Sequence, residues 1–313
     1  MPRAGAAPLC LATLWLAACQ ASGDELTVLE HGGAYEVRQD GALFTVVHAA
    51  AAPRPYLYPV LGPDGVEVTR AYPIAERPGE PTDHPHHVSL WYAHGSVNGH
   101  DFWQGGDGAR IACVRAEILQ QGGAQAAVRL HNRWIAGGET ILTEERTLRF
   151  SARDGVRWID ADITLIAPPQ RAVVLGDTKE GSFALRLRHE LALRGEGAAG
   201  HCYNSEGQRD AAVWGKRAAW VCYSGPVEGR TLSVAVFDHP RNPRYPTWWH
   251  ARDYGLVAAN PFGAHDFEGV APGTGDLRLA PGERVRFRYR VALISGLADP
   301  AALDALASGF VSD

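Results

Sequence analysis

Alternation of apolar and polar residues with a period of two dominates this chain and restricts it to a β architecture. "ALFTVV" (42–47), "ARIACVRAEIL" (109–119), "AQAAVRLHNRWI" (124–135), "TILTEERTLRF" (140–150) and "VRWIDADITLI" (156–166) carry the pattern first. "SFALRLRHELAL" (182–193), "AAWVCYSG" (218–225), "TLSVAVFD" (231–238) and "RVRFRYRVALI" (284–294) continue it. Successive side chains of a strand point to opposite faces, so alternation marks strands with one buried and one solvated face. Many of these runs exceed the usual strand length of about five or six residues. The connections "GPDG" (62–65), "QQGG" (120–123) and "ARDG" (152–155) suit hairpins. Long antiparallel strands joined by short turns predict two large sheets stacked face to face. The expected fold is therefore all-β, a large two-sheet antiparallel β-sandwich. One short C-terminal helix is added, with Asp299 as N-cap, Pro300 as its first residue and 301–307 as its body.

The first nineteen residues, "MPRAGAAPLCLATLWLAAC", stand apart from that pattern. Arg3, an apolar run from Pro8 to Leu16 and small residues before Cys19 form a secretory leader, too short to span a bilayer. Leu16-Ala17-Ala18-Cys19 resembles a bacterial lipobox, whose cysteine becomes the lipidated first residue. Cleavage near Ala21 or Ser22 is the simpler alternative. Either way the expectation is an exported protein, periplasmic or anchored to the outer membrane as a lipoprotein. Membrane attachment would run only through a lipid on Cys19. No later stretch is long and apolar enough to span a membrane. Residues 20–313 contain no linker, repeat or low-complexity stretch and read as a single domain.

A net charge of −5 without basic blocks argues against nucleic acid as a partner. Beyond the leader the cysteines are Cys113, Cys202 and Cys222. In an oxidising compartment Cys202 and Cys222 can be paired on paper, a weak signal. No zinc-knuckle CxxC, GxSxG, phosphate-binding loop, Rossmann or HExxH pattern is present. Of thirty basic residues only Lys179 and Lys216 are lysines. Lysine offers a compact charge whose pKa moves readily on burial, although the two residues interchange freely on exposed surfaces.

Two segments break the alternation, 53–106 and 239–269, both rich in Pro, Gly, His, Trp and Asn. Long irregular segments on a rigid β scaffold are where binding and catalytic groups collect. "DHPHHVSLWYAHGSVNGHDFW" (83–103) holds five of the thirteen histidines. Pro85 pushes His84 toward an extended conformation. An extended run would place His84 and His86 on one face, with His87, Ser89 and Trp91 on the other. His84, His86 and Asp83 then make a conceivable metal set, to be completed by Asp101, His250 or Glu180. A divalent metal is compatible with the run without being favoured. Proton transfer, hydrogen bonding to a ligand, or a purely structural polar network fit it as well.

"GDTKEGSF" (176–183) gathers Asp177, Lys179 and Glu180, either a mutually tuned acid–base pair or a solvated charged turn. "FDHPRNPRYPTWWHARDYGLVAANPFG" (237–263) offers Tyr245, Trp248 and Trp249 as stacking surfaces. Asn242 and Arg252, with Arg241 and Asn260, could anchor hydroxyls, and His250 with Asp253 could form an acid–base pair. The same aromatics serve equally as ordinary core. "YNSEGQRDAAVWGKRAAW" (203–220) adds Asn204, Glu206, Lys216 and Arg217.

Together with "RPYLYPVLGPDGVEVTRAYP" and "NSEGQRDAAVWGKRAAWVCYSG", these motifs resemble the family labelled methane oxygenase PmoA-like, a domain of unknown function. The resemblance runs from about Pro53 to Ile294. It implies exported bacterial proteins, often encoded near sugar oxidoreductases and glycan-degrading enzymes. Their sheets are similar to the galactose-mutarotase-like supersandwich, where histidines and a carboxylate act in a cleft on a concave sheet. Val88 stands where the resemblance leads one to expect Arg or Lys.

The combined expectation is a carbohydrate-active protein doing acid–base chemistry on a sugar or oligosaccharide by epimerisation, elimination or hydrolysis. His86 or His87 would be acid or base with His250 as partner, and Lys179 and Glu180 the opposing charged pair. Trp91, Trp248, Trp249 and Tyr245 would be walls, and Arg217, Asn242 and Arg252 anchors. A glycan-binding lipoprotein without turnover is the alternative, and a His/carboxylate metal oxygenase is a third reading.

Overall fold

The computed structural model describes Met1 and residues 25–311; the expected leader and its lipidation site, Cys19, fall within residues 2–24, outside the described residues. Two eight-stranded antiparallel sheets make the body of the molecule. In spatial order the first consists of Leu26–His31, Ala34–Gln39, Ala42–His48, Tyr56–Val60, Leu90–His94, Gly181–Arg186, Leu256–Asn260 and Trp248–Trp249. The second runs His201–Asn204, Trp220–Val227, Arg230–Asp238, Arg284–Ser295, Val156–Ile166, Glu139–Arg153, Gln125–Ala136 and Arg110–Gln120. This is the all-β, two-sheet sandwich that the alternation dictates.

The inner faces meet through aromatic pairs. Phe44 lies 5.7 Å from Phe150, Tyr92 6.0 Å from Trp134, and Phe183 stacks at 4.9 Å on Tyr289, each pair spanning the two sheets. Burial of these rings, with the surrounding Val, Leu and Ile, supplies the main driving force for stacking the layers. Val156–Ile166 and Gln125–Ala136 alternate in burial as half-buried strands should. On the outer side of the second sheet the C-terminal helix, Pro300–Val311, covers Trp158, Trp220 and Phe237 with Leu303 and Phe310. Asp299 caps it, its Oδ1 accepting from the Ala302 amide at 3.0 Å.

The middle of the first sheet departs from simple alternation. All residues of Leu90–His94, Gly181–Arg186 and Leu256–Asn260 are buried. Phe183 pairs with Tyr92 and Ala184 with Trp91. Phe183 and Tyr92 therefore face the second sheet, while Trp91, Ala184 and Arg186 face the other way. That outward face is roofed by the Pro/Gly/His-rich segments, so these strands are covered on both sides.

One sequence expectation needs correction, and the pairing of Cys202 with Cys222, left open by the sequence, is decided. The strand anticipated over 182–193 ends at Arg186, and His189–Leu191 is a short 3-10 turn. The chain leaves the sheet there because the Leu187 amide bonds the Gly255 carbonyl and the Arg188 amide the Val68 carbonyl, at 2.8 and 2.9 Å. Cys202 and Cys222 are both free thiols. Cys222 pairs across the sheet with Tyr203, the neighbour of Cys202, so the two side chains leave opposite faces. Cys202 accordingly packs in the inter-sheet core and Cys222 beneath the C-terminal helix.

Candidate functional site

The roof over the first sheet is built on three arginines, Arg54, Arg70 and Arg186, each 1% exposed. Arg70 donates to the carbonyls of Pro81, Asp83 and His84 at 3.3, 2.8 and 2.9 Å, and to Asp83 Oδ1 at 2.5 Å. Arg54 donates to the His86 carbonyl at 3.0 Å. A guanidinium's five fixed donors suit this work, gathering several carbonyls of an irregular segment around one buried side chain. Burial drops the Arg54 pKa to about 10, still far above neutrality, so its charge persists.

The clamp changes the backbone that the sequence suggested. His84 adopts φ +45°, and its carbonyl accepts from the His87 amide at 3.0 Å. Residues 84–87 thus form a turn with Pro85 at its second position, where proline's fixed φ fits. The extended reading fails because three carbonyls on one guanidinium outweigh the local preference before proline. The faces are redistributed accordingly: His84 stacks on His87 at 4.8 Å instead of pointing away from it. Tyr254 stacks on His84 at 5.0 Å and lies 6.3 Å from His87, so the three near-parallel rings form one cluster.

Arg186, rising from the sheet, joins the turn to the strand. It donates to Asp83 Oδ1 at 2.8 Å and to His87 Nδ1 at 3.3 Å. His87 therefore accepts at Nδ1 and carries its proton on Nε2. Burial, with His86 and Arg186 nearby, holds His87 far below the usual imidazole range and keeps it neutral. Burial and the neighbouring His84 bring His86 down to about 4. For Asp83 burial pulls upward, but Arg186, His84 and Arg70 together keep its carboxyl below the ordinary value.

The opposite wall comes from the "GDTKEGSF" turn and the segment after Trp249. The Lys179 carbonyl accepts from His250 Nδ1 at 2.8 Å, while His250 Nε2 is buried without a partner. His250 is thus the reverse tautomer of His87, with its lone pair on Nε2. Burial lowers its pKa to about 4, with Arg252 and Lys179 adding to the depression. Burial raises the Glu180 pKa, only partly offset by Lys179, whose Nζ is 3.9 Å away. Lys179 Nζ also lies 3.8 Å from Asp266. Asp177 is structural: its carboxylate accepts from the amides of His265 and Gly275.

These walls enclose a cavity of about 490 Å³. His84, His86, His87 and Asp83 line one side of it, and Lys179, Glu180 and His250 another. Gln104, Arg194, Arg252 and Tyr254 complete it. Every lining side chain carries a polar or charged group. Among the described residues no three His, Cys, Asp or Glu side chains gather as a metal-binding group. The Asp83, His84 and His86 set does not assemble as ligands because Asp83 is engaged by Arg70, Arg186 and His84 Nδ1, the last at 2.8 Å.

The family model for the family of unknown function DUF6807 matches residues 21–308. The chain belongs to that family. No curated protein matches the sequence. The methane-oxygenase likeness is a resemblance of sequence motifs alone. Among solved structures, a GH36 alpha-galactosidase AgaA from Geobacillus stearothermophilus in complex with raffinose matches at 12% identity and TM-score 0.40, over 87% of this chain and 41% of the other. A galactose mutarotase related enzyme from Lactobacillus acidophilus matches at 10% identity and TM-score 0.35, over 88% of this chain and 99% of the other. A polysaccharide lyase matches at 11% identity and TM-score 0.32, over 89% and 33%. The DUF6807 chain spans about two fifths of the length of the α-galactosidases it matches.

The aromatic and amide candidates lie outside the cavity. Trp91 is fully buried beneath His87, 5.5 Å away and packed on Trp103. Trp249 is equally buried and donates to the Ala218 carbonyl. Trp248 bonds Glu268 and lies under Arg217, whose guanidinium donates to the Pro246 and Arg244 carbonyls. Asn242 bonds Asp238 and the Arg288 carbonyl, and Tyr245 sits in the same loop. Sequence reasoning did not single out Arg54, Arg70, Arg186, Arg194, Gln104 or Tyr254 for the site. Arg186 was hidden in an alternating run that reads as a solvated strand face. The signal available was the arginine bias itself, since arginine keeps its charge when buried and lysine does not.

Proposed function

We propose that the DUF6807 cavity is the active site of a carbohydrate-active enzyme that works by proton transfer. The observation that supports this best is the convergence of two neutral imidazoles in opposite tautomers with a carboxyl of raised pKa in one polar cavity. His250 Nε2, free of partners and held as a lone pair by the Lys179 carbonyl, is the base that takes a proton from the substrate. His87 offers Nε2–H to the substrate oxygen on which charge develops, its orientation set by Arg186. Glu180, shifted toward its protonated form, returns a proton. His86 and Lys179 bind the hydroxyls around the reacting ring, and Arg252 holds a further polar group of the ligand. A lining in which every side chain brings a hydrogen-bonding group beside apolar ring and methylene surface suits a hydroxyl-rich small molecule. With the leader read as a secretion signal, the enzyme works outside the cytoplasm.

The test is incubation of the protein with a panel of mono- and oligosaccharides in D2O, followed by NMR for C–H exchange, isomerisation, elimination or cleavage. Turnover that falls at least about a hundredfold in both His87→Ala and His250→Ala supports the assignment. Turnover unchanged in both variants overturns it, and saccharide binding with no turnover on any member makes this a glycan-binding protein instead.

A further inference from the structure

A second, shallower cavity of about 310 Å³ adjoins the first, lined by Ala211, Trp214, Ala251, Arg252 and Asp253. Arg252 is common to both. The salt bridge between Arg194 Nε and Asp253 Oδ2, 2.8 Å long, joins the main cavity to the second. The two are therefore successive compartments of one cleft.

Arg252 is the unusual member. Its guanidinium lies between two rings, 5.4 Å from the Tyr254 centroid and 6.0 Å from that of Trp214. Unlike Arg70, Arg186 and Arg194, it has neither a carboxylate nor a carbonyl as hydrogen-bond partner among the described residues. Its backbone is rigidly placed. The Arg252 carbonyl accepts from the buried Tyr223 hydroxyl at 2.9 Å and from the Gly255 amide at 3.0 Å. A half-buried cation carried on a fixed backbone, without a counter-ion among the described residues and facing two compartments, is a site for an anion supplied by the ligand. Trp214 is half-buried, packed edge-on by Phe267 at 5.6 Å, and is the only large aromatic of the second compartment.

We infer that the cleft takes an acidic oligosaccharide, a carboxylate-bearing ring in the main cavity with its carboxylate on Arg252 and the adjoining ring against Trp214. This rests on the reading of the main cavity as a sugar site and adds the charge and length of its substrate. A carboxylate on Arg252 also offsets one of the charges that depress His250, so the bound ligand would strengthen the base that acts on it.

The experiment is calorimetric titration with galacturonate, glucuronate and mannuronate as monomers, dimers and trimers, each beside its carboxyl-reduced neutral counterpart. The wild-type protein should bind at least one acidic series about tenfold or more tightly than the neutral one, with a further gain from monomer to dimer. Arg252→Gln should abolish the acidic preference and Arg252→Lys retain part of it. Trp214→Ala should remove the gain from the second ring and leave monomer affinity unchanged. Equal affinity for acidic and neutral series, or a length dependence untouched by Trp214→Ala, overturns the inference while monomer binding preserves the sugar-site reading. Binding of no saccharide at any length overturns both. Thermal melts of each variant separate lost binding from lost folding.

Discussion

The Lys179 carbonyl and His250 Nδ1 meet at 2.8 Å, so the backbone of one candidate residue fixes the tautomer of the other. The two lie 71 positions apart and belong to segments flanking the same strand pair, Gly181–Arg186 against Leu256–Asn260. Through that bond the lone pair of a buried imidazole is held on Nε2 without a carboxylate to charge it.

His250 should appear in nitrogen-15 NMR as the neutral Nδ1–H tautomer and remain so as the pH falls toward about 4, its shifted pKa. An unfolded histidine takes up its proton near pH 6.5, so between about 6.5 and 4 the unfolded chain binds more protons at this site. Stability from His250 is thus complete above that window and lost as pH falls through it, by roughly 3 kcal/mol in full. Denaturant unfolding of His250→Gln should show a correspondingly flatter acid limb than wild type; identical limbs would contradict the assignment.

Glu180→Gln preserves shape and forfeits only a 3.9 Å contact with the half-exposed Lys179. Unfolding free energy should change by less than about 0.5 kcal/mol. Turnover should fall by roughly two to four orders of magnitude if Glu180 returns the proton. In the wild type, activity should decline as pH rises through the raised Glu180 pKa, and that limb should be missing from any residual activity of the variant.

Gly95 has no room for a side chain, because a Cβ there would lie 2.7 Å from Glu180 Cβ and 2.9 Å from its carbonyl oxygen. That carbonyl is the one the Gly95 amide bonds at 2.7 Å. Gly95→Ala should displace Glu180, destabilise by about 1–3 kcal/mol and reduce turnover far beyond that loss. Turnover measured well below the melting temperature distinguishes the two effects.

Arg70→Met should be the most damaging of the cradle variants. It strips donors from the carbonyls of Pro81, Asp83 and His84 and leaves Asp83 with Arg186 alone among its arginine partners. A cost of about 2–4 kcal/mol is expected from removing the buried guanidinium's hydrogen bonds to these carbonyls, with the pairing to the solvent-exposed Asp83 carboxylate adding little. Faster hydrogen exchange at the His87 amide, whose turn depends on the clamp, is the local readout.

Cys113, Cys202 and Cys222 should all alkylate when the unreduced protein is unfolded, and added reductant should leave the melting temperature unchanged. Protection of Cys202 and Cys222 from alkylation would contradict the opposite-face geometry.

What the sequence determined by itself was whatever depends on neighbours along the chain. Period-two alternation in Val156–Ile166 and Gln125–Ala136 dictates half-buried strands, and Asp299-Pro300 dictates a helix start, because each follows from local backbone geometry. The crowding of His84, His86 and His87 was legible for the same reason. Their conformation and charge were not. Asp83 and His87 meet Arg186 across 103 and 99 positions, through the pairing of Leu90–His94 with Gly181–Arg186. That non-local register turns an apparently solvated arginine into the keystone of the roof. It also decides which aromatics are core: Trp91 lies under His87 as floor, whereas Tyr254, inconspicuous in its loop, lines the cavity. Burial sets the imidazole pKa values and tautomers, and burial comes only with the tertiary structure, because it depends on what the rest of the chain places around a group.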